Sequence, residues 1–513
     1  MAGVLMFLFM PLEWLPDIAP VAGVSATGPD KQPGQSGRVV QPSAVSLPPP
    51  ASEPLEPLPR PDSDTASRAG SNSAPGVPFS RWQDAQPTPV PAPEFAGYRR
   101  DPDTGNKVWR LGGDGAEMGG AVNYPDGNEA LGILHGQHFY SKVSPVNSDE
   151  TYVLGAGGQN QPYAALWNLA THRLVAWVPA AAQEAHVEQR QLMWDMKLPD
   201  VYWYTQGNEL VRARIDFSNY EVQTEIWDQF ADYEYITLGY GEGNFSDDGR
   251  RVVITGKAAS GPYLYFTPYE VRQRRRYPRR QVTSPEQPEF DWAGVDPTGQ
   301  YILFNRIHPN RQTLVLPFAE AATAQPRVVY EHMKHSDFVI DRQGEVWIVY
   351  GNWQGLFASR LSDGLDKRVW PAGEGVKEDD HVTASGHVAR VKGIPGQVLV
   401  SRHYDGGLYF MNIDQPGHSV YLGNSRHGRS PAGSSEQQIR QRGVDENGEV
   451  TFYKREPRGA VSASGRYVFF TSDYQTYLDS GEGYDPEPEW CRAYLNMIEL
   501  QGAPSGPEGA VMR

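Results

Sequence analysis

The chain of 513 residues is long enough for several small domains or for one large all-β domain, and its formal charge of -16 argues against nucleic-acid binding, which needs a cationic surface. With 53 Gly, 43 Pro, 13 Trp and 27 Tyr against only 39% hydrophobic residues, it suits many short strands joined by turns rather than long helices. The single cysteine, Cys491, excludes an internal disulfide framework and a cysteine-built zinc site, and its expected role is that of a small buried apolar side chain.

At the start of the chain an apolar run over residues 2–10 leads through Pro11 to a small-residue stretch ending Val24-Ser25-Ala26. Residues 1–26 therefore read as a signal peptide or membrane tether, although no Lys or Arg precedes the apolar run. The expected location is periplasmic or extracellular, with the apolar run, where it is retained, as an anchor in the membrane or cell envelope. Residues 27–94 shift to Pro, Ser, Ala and Gly, a composition that buries too little apolar surface to offset its ordering entropy. They read as a disordered, partly extended linker.

The folded part spans residues 95–502, ahead of a short disordered tail at residues 503–513, and it repeats. A turn signal flanked by short strands recurs at Asn147-Ser148-Asp149, Leu198-Pro199-Asp200, Asp247-Asp248-Gly249, Pro297-Thr298-Gly299, Arg342-Gln343-Gly344, Ile394-Pro395-Gly396 and Ala463-Ser464-Gly465. The spacing of about 45 to about 68 residues matches four-stranded propeller blades, and seven such units close a ring. The fold class predicted is an all-β, seven-bladed β-propeller. Units of this length are too short to be separate β-sandwiches, which take about 100 residues each. Residues 98–111 resemble an outer strand pair lacking its own blade, so they are expected to pair with the last unit and close the circle.

In such a ring the residues just before each innermost strand and just after each second strand collect on one face around the channel. Those positions hold His138, Tyr140 and Lys142 from the first unit, Glu242 and Asn244 from the third, and Trp292 and Arg306 from the fourth. The fifth adds His335, Asp337 and Trp353, the sixth His381, His387, Arg402, His403 and Tyr404, and the seventh Arg458, Asp473 and Tyr474. Two long insertions, residues 423–457 with several arginines and residues 474–490 with several carboxylates, are placed to cover the same face as a basic lid and an acidic wall. The basic run at residues 271–280 falls between the third and fourth units and reads as a solvated outer loop, with polyanion binding as the competing reading.

A single histidine on a strand is most often a hydrogen-bonded packing residue, but imidazoles gathered from adjacent blades are also neutral nitrogen ligands. His335 with His387, His403 or His381 could hold Mn, Zn or another divalent ion, with Asp337 or Gln397 as helpers. The rings of Trp292, Trp353, Tyr404 and Tyr474 either stack on sugars or pack between blades. There is no GxSxG elbow, no phosphate-cradling loop and no dinucleotide fingerprint.

The seven-unit organisation, together with the stretch His135-Gly136-Gln137-His138-Phe139-Tyr140-Ser141 leading into Ser144-Pro145 and the histidines of the fifth and sixth units, resembles the propeller polysaccharide lyases, the oligogalacturonate lyases in particular. The resemblance implies a polysaccharide or oligosaccharide substrate containing uronates, a histidine-held divalent metal, and cleavage by β-elimination. On that chemistry Arg402, Arg458 or the metal stabilises the developing enolate, and His138, His381 or Tyr140 is the base. Lys142, Asn244, Trp292, Arg306, Trp353, Tyr404 and Tyr474 are then the substrate-binding candidates. Two alternatives stand beside this one. The propeller could be a non-catalytic binder of a glycan or protein, or a glycoside hydrolase using two of Glu242, Asp291, Asp337 and Asp473.

Overall fold

Most of the hairpins that repeat along the chain are held by the same local chemistry. A short polar side chain at the start of each turn accepts backbone N–H groups from the residues that follow, which fixes the turn before any long-range contact forms. Asn147 Oδ1 accepts from Thr151 and Tyr152 at 2.9 Å. Asp195 Oδ1 accepts from Lys197 and Leu198, Asp296 from Thr298 and Tyr301, and Asp341 Oδ1 from Gln343 and Glu345. Ser246 and Ser462 act likewise toward Arg251 and Tyr467.

The computed structural model describes residues 77–78, 92–113, 117–118, 122, 140–156, 163–180, 192–286, 289–306, 312–331, 335–352, 355–370, 386–402, 406–425, 457–472 and 494–500. All of these fall in one compact unit, Ala69–Arg513. Among the described residues there are seven sheets. Blade one holds Tyr152–Ala156, Tyr163–Asn168 and Arg173–Pro179, with an inner segment joined through the bridge between Val146 and Val153. Blade two is Met193–Trp194, Val201–Gln206, Glu209–Asp216 and Glu221–Gln229, and blade three is Tyr233–Leu238, Arg251–Ala258 and Leu264–Glu270 with two short outer strands. Blade four runs Phe290–Val295, Tyr301–Arg306, Gln312–Pro317 and Arg327–Glu331. Blade five follows as Ser336–Ile340, Val346–Asn352, Gly355–Arg360 and Asp366–Trp370, and blade six as Gly386–Arg390, Gln397–Arg402, Gly407–Asn412 and Ser419–Asn424.

Blade seven is completed from the other end of the folded chain, as the sequence predicts. Ala460–Val461, Tyr467–Ser472 and Tyr494–Glu499 supply its inner strands, and Lys107–Arg110 then Tyr98–Arg100 its outer ones, with Trp109 opposite Met497. The seam between blades seven and one is fastened on several levels. Trp167 donates from Nε1 to the Leu111 carbonyl at 2.9 Å, and Trp109 stacks on His172 at 3.6 Å. At the turns, both oxygens of the Glu150 carboxylate accept from Ser464, one from its amide and one from its hydroxyl, each at 2.7 Å. Apolar side chains fill the wedge between each pair of neighbouring sheets; Val153, Ala165 and Trp167 of blade one meet Phe469, Leu495 and Met497 of blade seven. Each large apolar group buried this way contributes about 1.5–3 kcal/mol.

Two peripheral features refine the sequence reading. The basic run at residues 271–280 is an inter-blade clamp: Arg276 pairs with Asp228 and covers the Phe230 ring, and Arg279 pairs with Asp232 and covers Tyr265. Val77–Pro78, inside the stretch read as linker, pairs with the outer strand of blade six opposite Tyr421 and Val420. Among the described residues no helix is long and apolar enough to cross a membrane, and residues 1–26 lie outside them.

Candidate functional site

We call the end of the channel where inner strands begin the upper mouth. Tyr140 and Lys142 lie in the turn that leads into the inner segment of blade one, closed by the Val143 amide donating to the Tyr140 carbonyl at 2.9 Å. Both are buried, Tyr140 completely. The Tyr140 hydroxyl lies 2.6 Å from His335 Nδ1, which stands immediately before the inner strand of blade five. His387, also fully buried, is the second residue of the inner strand of blade six; its ring centre is 4.1 Å from that of His335 and 5.1 Å from that of Tyr140, in an edge-on arrangement. Arg458, at the entry to blade seven, places its guanidinium carbon 5.9 Å from the Tyr140 ring. Its φ of 42° is in the left-handed region, a strained conformation for a residue with a side chain and one concentrated at functional sites.

A second group completes the mouth. Lys142 Nζ donates to Glu242 Oε2 at 2.7 Å and sits 3.2 Å above the Trp292 ring. Glu242 is delivered by the short 3-10 turn Gly239–Gly241, where Gly239 has φ 66° and a Cβ would lie 2.2 Å from the Ala293 carbonyl. Only glycine allows that approach to blade four. Tyr140, Lys142, Glu242, Trp292, His335, His387 and Arg458 thus come together from blades one, three, four, five, six and seven.

The remaining expectations fall as follows. Arg402 ends the second strand of blade six, buried, directly opposite Gly386 and so beside His387. Asn244 lines the channel just below the mouth. Arg306 closes the second strand of blade four, and its charge reaches Arg280 on the outer edge of blade three. Trp292 is 1% exposed with one face against Lys142, so it is enclosed between blades instead of forming a sugar platform. Lys142, held by Glu242, is likewise not displayed to solvent. His138, His381, Trp353, His403, Tyr404 and Tyr474 lie outside the described residues, as do residues 426–456 and 473–493 of the two insertions.

Of the carboxylates considered for hydrolysis, Glu242 is committed to Lys142, and Asp291 accepts from Asn305 at 3.3 Å. Asp337 accepts from the amides of Phe338 and Arg390, and burial pushes its carboxyl up from the usual range despite the nearby charges of Arg390 and Lys142. Because the folded carboxyl keeps its proton to higher pH than the unfolded one, its stabilising contribution is present below the ordinary Asp range and fades as pH rises through the folded value. The unfolding free energy of the wild type relative to Asp337→Asn is therefore expected to fall as pH rises above that range, measured by urea melts at stepped pH. Gln397 starts the strand that Arg402 ends, about 16 Å away at 3.3 Å per residue, and so belongs to the opposite mouth.

Among the described residues no group of three His, Cys, Asp or Glu side chains is arranged to hold a metal. His335 and His387 supply two adjacent imidazoles, and the tie between His335 Nδ1 and Tyr140 is the kind of outer contact that orients a ligating ring through its other nitrogen. The pair fits the nitrogen-donor part of a divalent site.

No family model matches the chain, and no curated protein matches it. Among solved structures the fold weakly resembles an oligogalacturonate lyase in complex with manganese, at 14% identity over 81% of this chain and 98% of that one, with a TM-score of 0.48. An oligogalacturonate lyase from Vibrio parahaemolyticus gives 12% identity over 79% and 96%, also at 0.48. A chain of the Mitotic Checkpoint Complex gives 10% over 82% and 98%, at 0.41.

Proposed function

We propose that the upper mouth binds an acidic polysaccharide and cleaves it by β-elimination, with Tyr140 and His335 as the proton-transfer pair. The observation that carries this reading is the 2.6 Å contact between the Tyr140 hydroxyl and His335 Nδ1, set beside His387 and the guanidinium of Arg458. A phenol is a weak base at neutral pH until its proton has somewhere to go. His335, half-buried and in contact with it, is that destination. The tyrosinate then removes the proton next to the uronate carboxylate while Arg402 and Arg458 offset the charge that develops on the enolate. In the other tautomer, with Nδ1–H donating to Tyr140, His335 would instead join His387 and the sequence-expected His403 in holding a divalent ion that supplies Lewis-acid stabilisation of the same carboxylate, and it would then not be the proton acceptor.

The same proposal places the propeller outside the cytoplasm, tethered through residues 1–94, on the strength of the apolar run and Val24-Ser25-Ala26. One observation favours a second reading: Tyr140 and His387 are both fully buried, as packing residues of the channel wall would be, which suits a propeller that binds without catalysis. Offering polygalacturonate and other uronate polymers to the purified protein, with and without Mn or Zn, separates the two. Ultraviolet absorbance from an unsaturated product is the expected outcome. Retention of the polymer with no such product overturns the lyase reading in favour of binding.

A further inference from the structure

Below the upper mouth the channel holds a cavity of about 300 Å³ that continues to the opposite face of the ring. Lys142 and Asn244 line it from above, and Asn147, Met196, Gly393 and Lys392 line it near the turns. Gly393 and Ser148 are exposed there, so the cavity has a lower mouth. Lys392 follows the inner strand of blade six, two residues beyond Arg390.

The two cations are treated very differently by their surroundings. Arg390 reaches across the channel to blade three, where both oxygens of Asp247 accept from its guanidinium at 2.6 and 2.9 Å. Lys392 Nζ instead sits 3.3 Å from the thioether sulfur of Met196, a weak acceptor that does little for an ammonium charge. The other charges that act on it are Arg390 and Lys197, which oppose its protonation, and Asp247 and Asp337, which favour it; Asp195 also lines the cavity. Of the two favouring carboxylates, Asp247 is taken by Arg390, and Asp337 is occupied by backbone amides. Lys392 as a whole is half-buried at the lower mouth; burial of its amine first and Arg390 second pull its pKa down to about 8. An amine desolvated beside another cation is the usual setting for a lysine nucleophile.

We propose that Lys392 is a nucleophilic amine that condenses with small aldehydes entering the channel through its lower mouth. The lone pair of neutral Nζ attacks the carbonyl carbon; a C–N bond forms as the C=O π pair moves to oxygen. Transfer of a proton from nitrogen to that oxygen gives a carbinolamine, and loss of water leaves an imine. Neither oxidant nor reductant is consumed. This site is separate from the proton-transfer pair of the upper mouth, and its test does not depend on lyase activity.

The test uses the full chain, glycolaldehyde as probe and cyanoborohydride to trap the imine at neutral pH, with each lysine followed by peptide mass spectrometry. Lys392 is expected to acquire the adduct at least about tenfold faster than exposed Lys197, because its amine is largely neutral a few pH units earlier than an ordinary lysine. The rate should level off above about pH 8. Lys392→Arg, which keeps the cation, should lose this fast adduct with an unchanged melting curve. Labelling of Lys392 no faster than Lys197, or a rate still climbing steeply well into the alkaline range, overturns the proposal. Wild-type labelling is decisive even if the variant does not fold.

Discussion

Tyr140→Phe is expected to lower turnover of a uronate polymer by about 10²–10⁴-fold with the fold intact, the range lost when a positioned acid–base group is removed. Phenylalanine preserves the ring that packs edge-on against His387 and lies 5.9 Å from both Lys142 Nζ and the Arg458 guanidinium carbon. Only the hydroxyl is lost. Its removal deprives His335 Nδ1 of one partner, which costs about 1 kcal/mol when the remaining group can still reach water, as half-buried His335 can. The loss should appear in kcat with KM little changed, because the hydroxyl is asked to act in the transition state and not in holding the chain. A Tyr140→Phe enzyme with wild-type kcat would remove the pair from the mechanism.

The ring itself was legible because the signal is local and repeats. Each turn carries its own Asn, Asp or Ser cap, or a Pro-Gly, and the unpaired strands at residues 98–111 announce a missing partner. The convergence of Tyr140, His335, His387 and Arg458 followed from topology alone, since inner strands must all begin at one mouth. Inter-blade partners have no such local mark. Glu242 lies 100 residues from Lys142, and Asp247 lies 143 from Arg390, so nothing near either cation in the sequence shows which carboxylate neutralises it. A usable signal did exist: Arg390 at the end of an inner strand and Lys392 two residues later are interleaved with apolar Val388, Ala389 and Val391, and a cation in that position must find a buried anion or shift its pKa. The pairing of Val77–Pro78 with blade six was invisible for the opposite reason, since edge pairing by two residues leaves no periodic pattern.

Glu242→Ala is expected to destabilise the protein by about 3–5 kcal/mol, because it leaves Lys142 as an uncompensated charge with its side chain only 1% exposed. Lys142 cannot turn to water without dismantling the contact with Trp292. The converse change, Lys142→Met, should cost less: the Glu242 side chain is 12% exposed at the mouth and retains a route to hydration. Replacing both, as Lys142→Met with Glu242→Gln, removes the charge pair while keeping its volume and should recover most of the loss, since buried pairs exchanged for neutral groups of similar size are often near neutral in stability. Urea denaturation of the four proteins gives the coupling directly. A cost below about 1 kcal/mol for Glu242→Ala would mean that the faces of Trp292 and Tyr140 carry the ammonium by themselves, a load cation–π contacts bear only up to about 2 kcal/mol when desolvated. The expected order, with the single carboxylate deletion worst and the double replacement near wild type, would identify Lys142 as the charge that fixes blades one, three and four around the mouth, and so as a positioning group for Tyr140 two residues away.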